Sequence, residues 1–224
     1  MIPFPVSPLI DRLLDLALEE DIGPGDLTTQ ALIPPDLQGE AHIRAKQALV
    51  AAGLPAAEMV FRRLDALIDF EAEVEEGQEV SPGTVLARIT GPVAAILTGE
   101  RIALNFLMRL SGIATFTRRM AAAVAGFPTA LVDTRKTTPG WRVLEKYAVR
   151  VGGGRNHRFA LYDGALIKNN HLTAAGSITE AIRRARQQAP HTLKIEVEVT
   201  DMAGLQEALA AGADIIMLDN MDEA

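Results

Sequence analysis

The sequence lacks cysteine, which excludes disulfide bonds, thiolate metal sites and cysteine nucleophiles. Aromatic residues are also scarce: one Trp, two Tyr and seven Phe among 224 residues. The core must therefore be built mainly from Ala, Leu, Val and Ile. No apolar run reaches the length of a membrane span, and the first residues lack the basic start of a signal peptide. We expect a cytoplasmic protein that does not contact a membrane.

Basic residues are concentrated in one part of an acidic chain. The net charge is −7, which argues against broad nucleic-acid binding. Residues 133–171 nevertheless hold eight Lys or Arg against three acids, a charge of +5, so the rest of the chain carries −12. Several of these cations directly follow short apolar runs, and glycines lie between them. Cations at strand ends and glycine-rich loops favour an anion-binding site over a solvated surface.

Three motifs of consecutive residues lie in this segment: DTRKTTPG at 133–140, GGGRNHR at 152–158 and IKNNH at 167–171. They resemble the quinolinate phosphoribosyltransferase family (nicotinate-nucleotide pyrophosphorylase, carboxylating), and the resemblance covers nearly the whole chain. It implies an enzyme of NAD biosynthesis that transfers phosphoribosyl from phosphoribosyl pyrophosphate to quinolinate. Decarboxylation would then give nicotinate mononucleotide, pyrophosphate and CO₂.

The fold class implied by the resemblance is mixed α/β and α+β. An N-terminal α/β sandwich domain with hammerhead-like strands is expected over residues 1–112, followed by an incomplete parallel α/β barrel over 113–224 that carries the active site. The pattern itself agrees, because strands predicted at 130–134, 165–169, 193–199 and 214–218 alternate with helices. Repeated βα units with short links favour a parallel sheet. A helix is predicted from Thr98 to about Val124, with a break at Ser111-Gly112, and residues 20–29 are predicted to form a turn.

The candidate carboxylates come from alternation along the strand at 193–199. Side chains on a strand point alternately to opposite faces, so Ile195, Val197 and Val199 would face the helices while Glu196 and Glu198 face the barrel interior. Glu198 lies nearest the C-terminal rim, and Asp219 ends the next apolar run in the same way. Two such carboxylates suit Mg²⁺ or sugar hydroxyls. We treat Glu196, one layer deeper, as structural support.

The resemblance assigns roles to individual positions. The residues expected to bind substrate are Arg101, Thr134, Arg135, Lys136, His157, Arg158, Lys168, Glu198 and Asp219. Those expected to be catalytic are Lys136, Lys168, Glu198 and Asp219, with Glu198 and Asp219 holding Mg²⁺. Arg101 is expected to reach a substrate carboxylate in a neighbouring subunit, which implies a homodimer, either alone or stacked into a hexamer.

Members of the resembled family continue beyond the strand at 214–218 with further βα units and two phosphate-binding glycine loops. Those segments are absent from the 224 residues given. We expect the barrel formed by these residues alone to be open, with half of its phosphate site missing and little stability or activity.

Other functions are compatible with parts of the sequence. A related phosphoribosyltransferase could act on another acid, although complete motifs favour quinolinate. A Schiff-base lyase could use Lys136 or Lys168 as a nucleophile if a desolvated pocket lowered its pKa. A lipoyl-type or biotinyl-type carrier needs a lysine at an exposed hairpin tip, and no lysine lies between Lys46 and Lys136.

Overall fold

The computed structural model describes residues 2–222, and the chain divides into two compact units between His157 and Arg158. The helices and strands of the first unit are α1 Pro8–Ile22, α2 Leu27–Leu32, β1 Gln38–Arg44, β2 Leu49–Val50, α3 Leu54–Leu64, β3 Asp69–Ala72, β4 Glu79–Val80, β5 Val85–Pro92, α4 Val93–Ala123 and α5 Arg142–Val151. Those of the second unit are β6 Ala165–Ile167, α6 Asn169–Ala175, α7 Ile178–Gln188, β7 Ile195–Val199, α8 Met202–Ala210 and β8 Ile215–Leu218. Over the described range, every helix is too short or too polar to cross a bilayer.

An antiparallel sheet of order β1-β5-β3 forms one layer of the first unit, and α3 and α4 pack together against it. Phe61 on α3 and Phe106 on α4 are almost completely buried in this core. The two helices approach closely because Gly99 has no side chain: a Cβ there would lie 2.7 Å from Leu64 Cδ1. The α/β sandwich expected from the sequence is confirmed in this unit.

Helix α4 is one continuous element of 31 residues, so the predicted break at Ser111-Gly112 is wrong. The Ser111 hydroxyl donates to the Ala52 carbonyl and accepts from the Ala52 amide, both at 3.1 Å. The small polar side chain therefore satisfies a neighbouring backbone instead of breaking its own helix. The predicted domain boundary after residue 112 falls inside α4, whereas the compact units divide at 157/158.

The segment 20–29, predicted to be a turn, includes the end of α1 and the start of helix α2. Its N-cap is Asp26, whose carboxylate accepts from the Thr29 amide at 3.0 Å and the Thr29 hydroxyl at 2.6 Å. These bonds supply partners for groups that a helix start otherwise leaves unsatisfied. The turn formers before Leu27 thus introduce a short helix.

The strand predicted at 130–134 is reduced to a single parallel bridge between Val132 and Arg155. The Asp133 amide donates to the Arg155 carbonyl at 3.0 Å, and the Arg155 amide donates to the Leu131 carbonyl at 2.8 Å. Helix α5 lies between these two segments in sequence and packs on α4. Gly152 ends that helix where a Cβ would lie 2.5 Å from the Ala114 carbonyl oxygen. The start of the basic segment is therefore held beside residues 155–157.

The second unit is built on a parallel sheet of order β6-β7-β8, with helices following its strands. Ile195, Val197 and Val199 are buried in a core shared with Ile178 and Ile182 of α7, as the alternation predicts. Repeated βα units on a parallel sheet are the arrangement expected for part of an α/β barrel. Helix α6 was not predicted from the sequence.

Candidate active site

One buried ionic cluster organises the basic motifs of the first unit. Lys146, on α5, has a side chain that is 3% exposed, and its Nζ donates to the Asp133 carboxylate and to the His157 carbonyl, the latter at 3.2 Å. The other donors to this carboxylate are the His157 amide at 2.8 Å and Asn156 Nδ2 at 2.7 Å. Asn156 Nδ2 also donates to the Lys146 carbonyl at 2.9 Å. We call these four residues the Asp133 hub.

A second polar cluster fixes the turn of the TTPG motif. Glu145 accepts from Arg109 Nε at 3.0 Å and from the Thr138 amide at 3.1 Å, and the Arg109 guanidinium lies 5.4 Å from the centre of the Trp141 ring. Burial acts to raise the pKa of Glu145, but the hydrogen bonds from Arg109 and Thr138 outweigh it and hold the pKa below its ordinary value. Glu145 is therefore a carboxylate at neutral pH, bound to the backbone of the motif.

Arg135 is partly buried, and its Nε has no hydrogen-bond partner among residues 2–222. Buried polar groups are almost always paired, so an unpaired guanidinium nitrogen in an anion-binding motif suits a ligand. Its neighbours Thr134 and Lys136 are exposed, and the Thr134 hydroxyl accepts from the Lys136 amide at 3.0 Å. The geometry thus leaves Arg135 and Lys136 available to bind an anion.

The second unit brings together two of the predicted site residues. Lys168 Nζ lies 3.3 Å from Glu198 Oε2, and their side chains are 50% and 13% exposed. The Lys168 amide also donates to His171 Nδ1 at 2.9 Å, at the start of α6. Lys168 follows β6 and Glu198 lies near the end of β7, so this ion pair joins the ends of two neighbouring parallel strands.

Asp219 follows β8 and is placed by the parallel register, in which Val199 pairs with Leu218. Its amide donates to the Val199 carbonyl at 2.9 Å. Within the described chain, no group of three or more His, Cys, Asp or Glu is arranged to hold a metal. Protein sites for Mg²⁺ commonly use one or two carboxylates together with substrate phosphates, so Mg²⁺ binding by Glu198 and Asp219 stays a prediction from the sequence.

Arg158 is oriented by its own loop. Its Nη1 donates to the Gly164 carbonyl at 3.0 Å, and the Asp163 carboxylate accepts from the amides of Phe159 and Ala160. A single bond from one nitrogen leaves further guanidinium donors for an anion.

Arg101 is exposed on α4, away from the motif residues in sequence. The same helix exposes several large apolar side chains, and a groove of about 750 Å³ in the first unit runs between α4 and β1. The exposed apolar residues on α4 are Leu97, Met108, Phe116 and Met120. Arg101 therefore lies on a helix whose exposed face combines these apolar side chains with charged ones such as Glu100 and Arg119.

Sequence reasoning missed the residues that hold the motifs in place: Lys146, Asn156, Arg109 and Glu145. Asn156 lies inside a motif, but nothing in the sequence indicates its partner. Lys146 and Glu145 lie on a helix, where neighbouring charged residues usually indicate a solvated face.

Two family models match this chain. The model described as "Quinolinate phosphoribosyl transferase, N-terminal domain" matches residues 26–111, and that described as "Quinolinate phosphoribosyl transferase, C-terminal domain" matches residues 113–224. Among curated proteins, a probable nicotinate-nucleotide pyrophosphorylase [carboxylating] from Synechocystis is 52% identical over 215 residues. That match covers 95% of this chain and 72% of the relative.

Solved structures give the same result for the fold. NadC from Streptococcus pyogenes superposes with a TM-score of 0.94 at 44% identity, and the match covers 98% of this chain and 78% of that one. The nicotinate-nucleotide pyrophosphorylase from Francisella tularensis gives a TM-score of 0.93 at 39% identity, again with 98% and 78% covered. These likenesses confirm the fold class expected from the sequence.

Proposed function

Because this chain belongs to the quinolinate phosphoribosyltransferase family, we propose that it converts quinolinate and phosphoribosyl pyrophosphate into nicotinate mononucleotide, pyrophosphate and CO₂. The observation that carries the proposal is that both family domains are matched across residues 26–224 with a single position between them. The three basic motifs lie inside the matched range.

The dicarboxylate is proposed to bind Arg135, His157 and Arg158. Quinolinate carries two carboxylates, which a planar guanidinium can bind through two parallel hydrogen bonds. The unpaired Nε of Arg135 supports this role. Arg101 would add one more guanidinium, contributed by a second subunit.

The phosphoribosyl donor is proposed to bind Thr134, Lys136, Lys168, Glu198 and Asp219. The lysines would hold the charge of the leaving pyrophosphate, and the carboxylates would bind ribose hydroxyls and Mg²⁺, which supplies further positive charge to phosphate oxygens when bound. The Lys168–Glu198 ion pair supports this role because it places a cation and a carboxylate within 3.3 Å of each other.

In the proposed reaction, the bond between the ribose anomeric carbon and the pyrophosphate oxygen breaks, and its electron pair leaves with pyrophosphate. The quinolinate ring nitrogen donates its lone pair to that carbon. The bond from the ring to the 2-carboxylate then breaks, CO₂ leaves, and the ring carbon takes up a proton. The protein's contribution is to position two anions and to stabilise the charge that develops between them.

The dimer is part of the same proposal. A helix that exposes Met108 and Phe116 beside an apolar groove has a surface suited to a second copy of the chain, and Arg101 projects from that helix. A hexamer of such dimers and a cytoplasmic setting remain predictions from the sequence.

A Schiff-base lyase is less well supported. A nucleophilic lysine needs desolvation so that its amine is neutral. Lys168 is instead half exposed and paired with a carboxylate, and Lys136 is exposed. Borohydride trapping with a carbonyl substrate should accordingly give no adduct on either lysine.

The proposal is tested by incubating the full-length protein with quinolinate, phosphoribosyl pyrophosphate and Mg²⁺. Release of CO₂ and pyrophosphate in equal amounts is expected. Nicotinate, which lacks the 2-carboxylate, serves as the control acid. Turnover of nicotinate instead of quinolinate would support the alternative in which a related transferase acts on another acid, and turnover of neither would contradict the proposal.

A further inference from the structure

We propose that Lys146 is a positioning residue for quinolinate binding, acting through the backbone of His157 without touching the substrate. The inference rests on the proposed function, because it assumes that His157 and Arg135 bind the dicarboxylate. It concerns a residue outside the three motifs and on a helix of the first unit.

The Asp133 hub holds both main-chain polar groups of His157. The amide donates to the Asp133 carboxylate at 2.8 Å, and the carbonyl accepts from Lys146 Nζ at 3.2 Å. Lys146 and Asp133 are themselves an ion pair, so the two sides of the His157 backbone are bound by one charged unit. A displacement of the His157 backbone would therefore break a charge-assisted hydrogen bond.

The same hub also holds the backbone that leads into Thr134 and Arg135. Asp133 immediately precedes Thr134 and Arg135, and its carboxylate receives bonds from Lys146, Asn156 and the His157 amide. Each side chain proposed to bind quinolinate within this chain therefore belongs to a hub residue or to a residue at most two positions from one. Lys146 therefore sets the distance between the segment that contains Arg135 and the segment that contains His157.

Burial argues that this pair serves placement more than stability. The side chains of Lys146 and Asp133 are 3% and 9% exposed. Taking both charges out of water is costly, and replacing a buried ion pair with apolar residues is often neutral or stabilising. The ion pair therefore fixes the relative positions of the two segments through directional hydrogen bonds, which an apolar contact would not do. The Lys146 ammonium is already bonded to the Asp133 carboxylate and the His157 carbonyl, which fits a positioning role.

The neighbouring residue on α5 provides a matched comparison. Tyr147 is equally buried and donates a hydrogen bond to the Glu76 carboxylate, which also accepts from the Gly53 and Leu54 amides. Burial, with Glu76 nearby, raises the pKa of Tyr147, so the phenol stays protonated and keeps this bond. This bond ties α5 to the start of α3, far in sequence from the motifs. Loss of either Lys146 or Tyr147 removes a buried bond from the same helix, but only Lys146 binds the backbone of a motif residue.

The test is the variant Lys146→Met, which keeps the length of the side chain and removes its charge. We expect the KM for quinolinate to rise about tenfold or more, because small misplacements of binding groups have large kinetic effects. The KM for phosphoribosyl pyrophosphate should rise less than the KM for quinolinate, because Thr134 and Lys136 follow Asp133 in the chain whereas His157, which Lys146 binds directly, serves quinolinate only. Tyr147→Phe should lower the melting temperature and leave the quinolinate KM within about twofold of wild type. An equal rise in both variants, or no rise in Lys146→Met, would overturn the inference.

Asn156→Ala covers the case in which Lys146→Met does not fold. Asn156 is exposed and donates to Asp133 and to the Lys146 carbonyl, so its loss loosens the hub with little cost to the fold. A rise of about threefold or more in quinolinate KM is expected, and an unchanged value would count against the hub.

Hydrogen exchange at the His157 amide separates this inference from the proposed function. The amide should exchange faster in Lys146→Met than in Tyr147→Phe, relative to core amides of α4, whether or not quinolinate is the substrate. If the wild-type protein does not convert quinolinate but this difference is seen, the proposed function fails and the positioning by Lys146 stands. Equal exchange in the two variants would refute the positioning directly.

Discussion

At the scale of single residues, Arg135 is the side chain most directly poised for a ligand. Arg135→Ala is expected to weaken quinolinate binding by about 2–5 kcal/mol while leaving the fold intact, because it removes one buried cationic contact to an anion. The measurement is quinolinate affinity by titration calorimetry. Arg150→Ala is the matched control, since Arg150 belongs to the same basic segment but is exposed on α5. Wild-type affinity in Arg135→Ala would contradict the assignment.

Glu145 predicts a pH dependence of stability. Its folded pKa lies below the ordinary value of 4.5, so its carboxylate form is favoured by folding. That stabilisation is fully present above pH 4.5 and is lost as the pH falls through the lower folded pKa. Glu145→Gln should therefore be less stable than wild type to urea at pH 7, by about 1–3 kcal/mol, with the difference shrinking on acidification.

The control for this pH effect is Glu71→Gln, because Glu71 is exposed on β3. Its unfolding free energy should follow that of wild type across the same range. A difference between wild type and Glu145→Gln that is constant from neutral to acid pH would show that ionisation of Glu145 does not contribute to folding.

At the scale of elements, β7 and β8 carry the proposed phosphoribosyl side of the reaction. Glu198→Gln should raise the KM for phosphoribosyl pyrophosphate and lower kcat, together by about tenfold or more, with quinolinate binding little changed. Glu180→Gln on α7 is the control: Glu180 pairs with Arg183 and Arg184, and its pKa is lowered to about 2 by hydrogen bonds from Arg183 and Arg184. A change confined to quinolinate would contradict the assignment of Glu198.

The elements also show what the sequence could predict. The alternation of apolar and charged residues along the strand at 193–199 predicts that Val197 lies in the core and Glu198 at a rim. Val197 is indeed buried, because successive side chains of a strand point to opposite faces of the sheet. The break at Ser111-Gly112 was predicted wrongly because the partner of the Ser111 hydroxyl, Ala52, is 59 residues away. Local propensity contains no information about such a contact.

Helix α5 marks the limit of sequence reasoning about the site. Leu144, Tyr147 and Val151 repeat at helical spacing, which places Lys146 on the opposite side, where a charged residue suggests solvent. Lys146 is nevertheless buried, and α5 packs against both α4 and α1. The motifs could be recognised one by one, but the residue joining two of them through Asp133 could be found only from tertiary contacts.

At the scale of the whole molecule, the charge distribution becomes explicable. The segment 133–171 carries a net +5 within a chain of −7, and this net already includes Asp133, which pairs with Lys146, and Glu145, which pairs with Arg109 outside the segment. Arg135 and Lys136 are not in such pairs within the described residues. The surplus is thus concentrated on side chains available to an anion, which is what binding two polyanionic substrates requires.

The largest-scale prediction concerns Arg101 and subunit sharing. Suppose that each active site takes Arg101 from the partner chain. A mixed dimer of Arg101→Ala and Glu198→Gln chains then has one intact site, because both substitutions affect the other site. Unfolding and refolding the two variants together should therefore restore about a quarter of wild-type activity, because half of the dimers are mixed and half of their sites intact. Each variant refolded alone is the control. If Arg101 acts within its own subunit, every site in the mixture carries a defect and activity stays at the level of the controls. Recovery on mixing would show that Arg101 acts in the active site of the partner chain and that each site is complete only in the dimer.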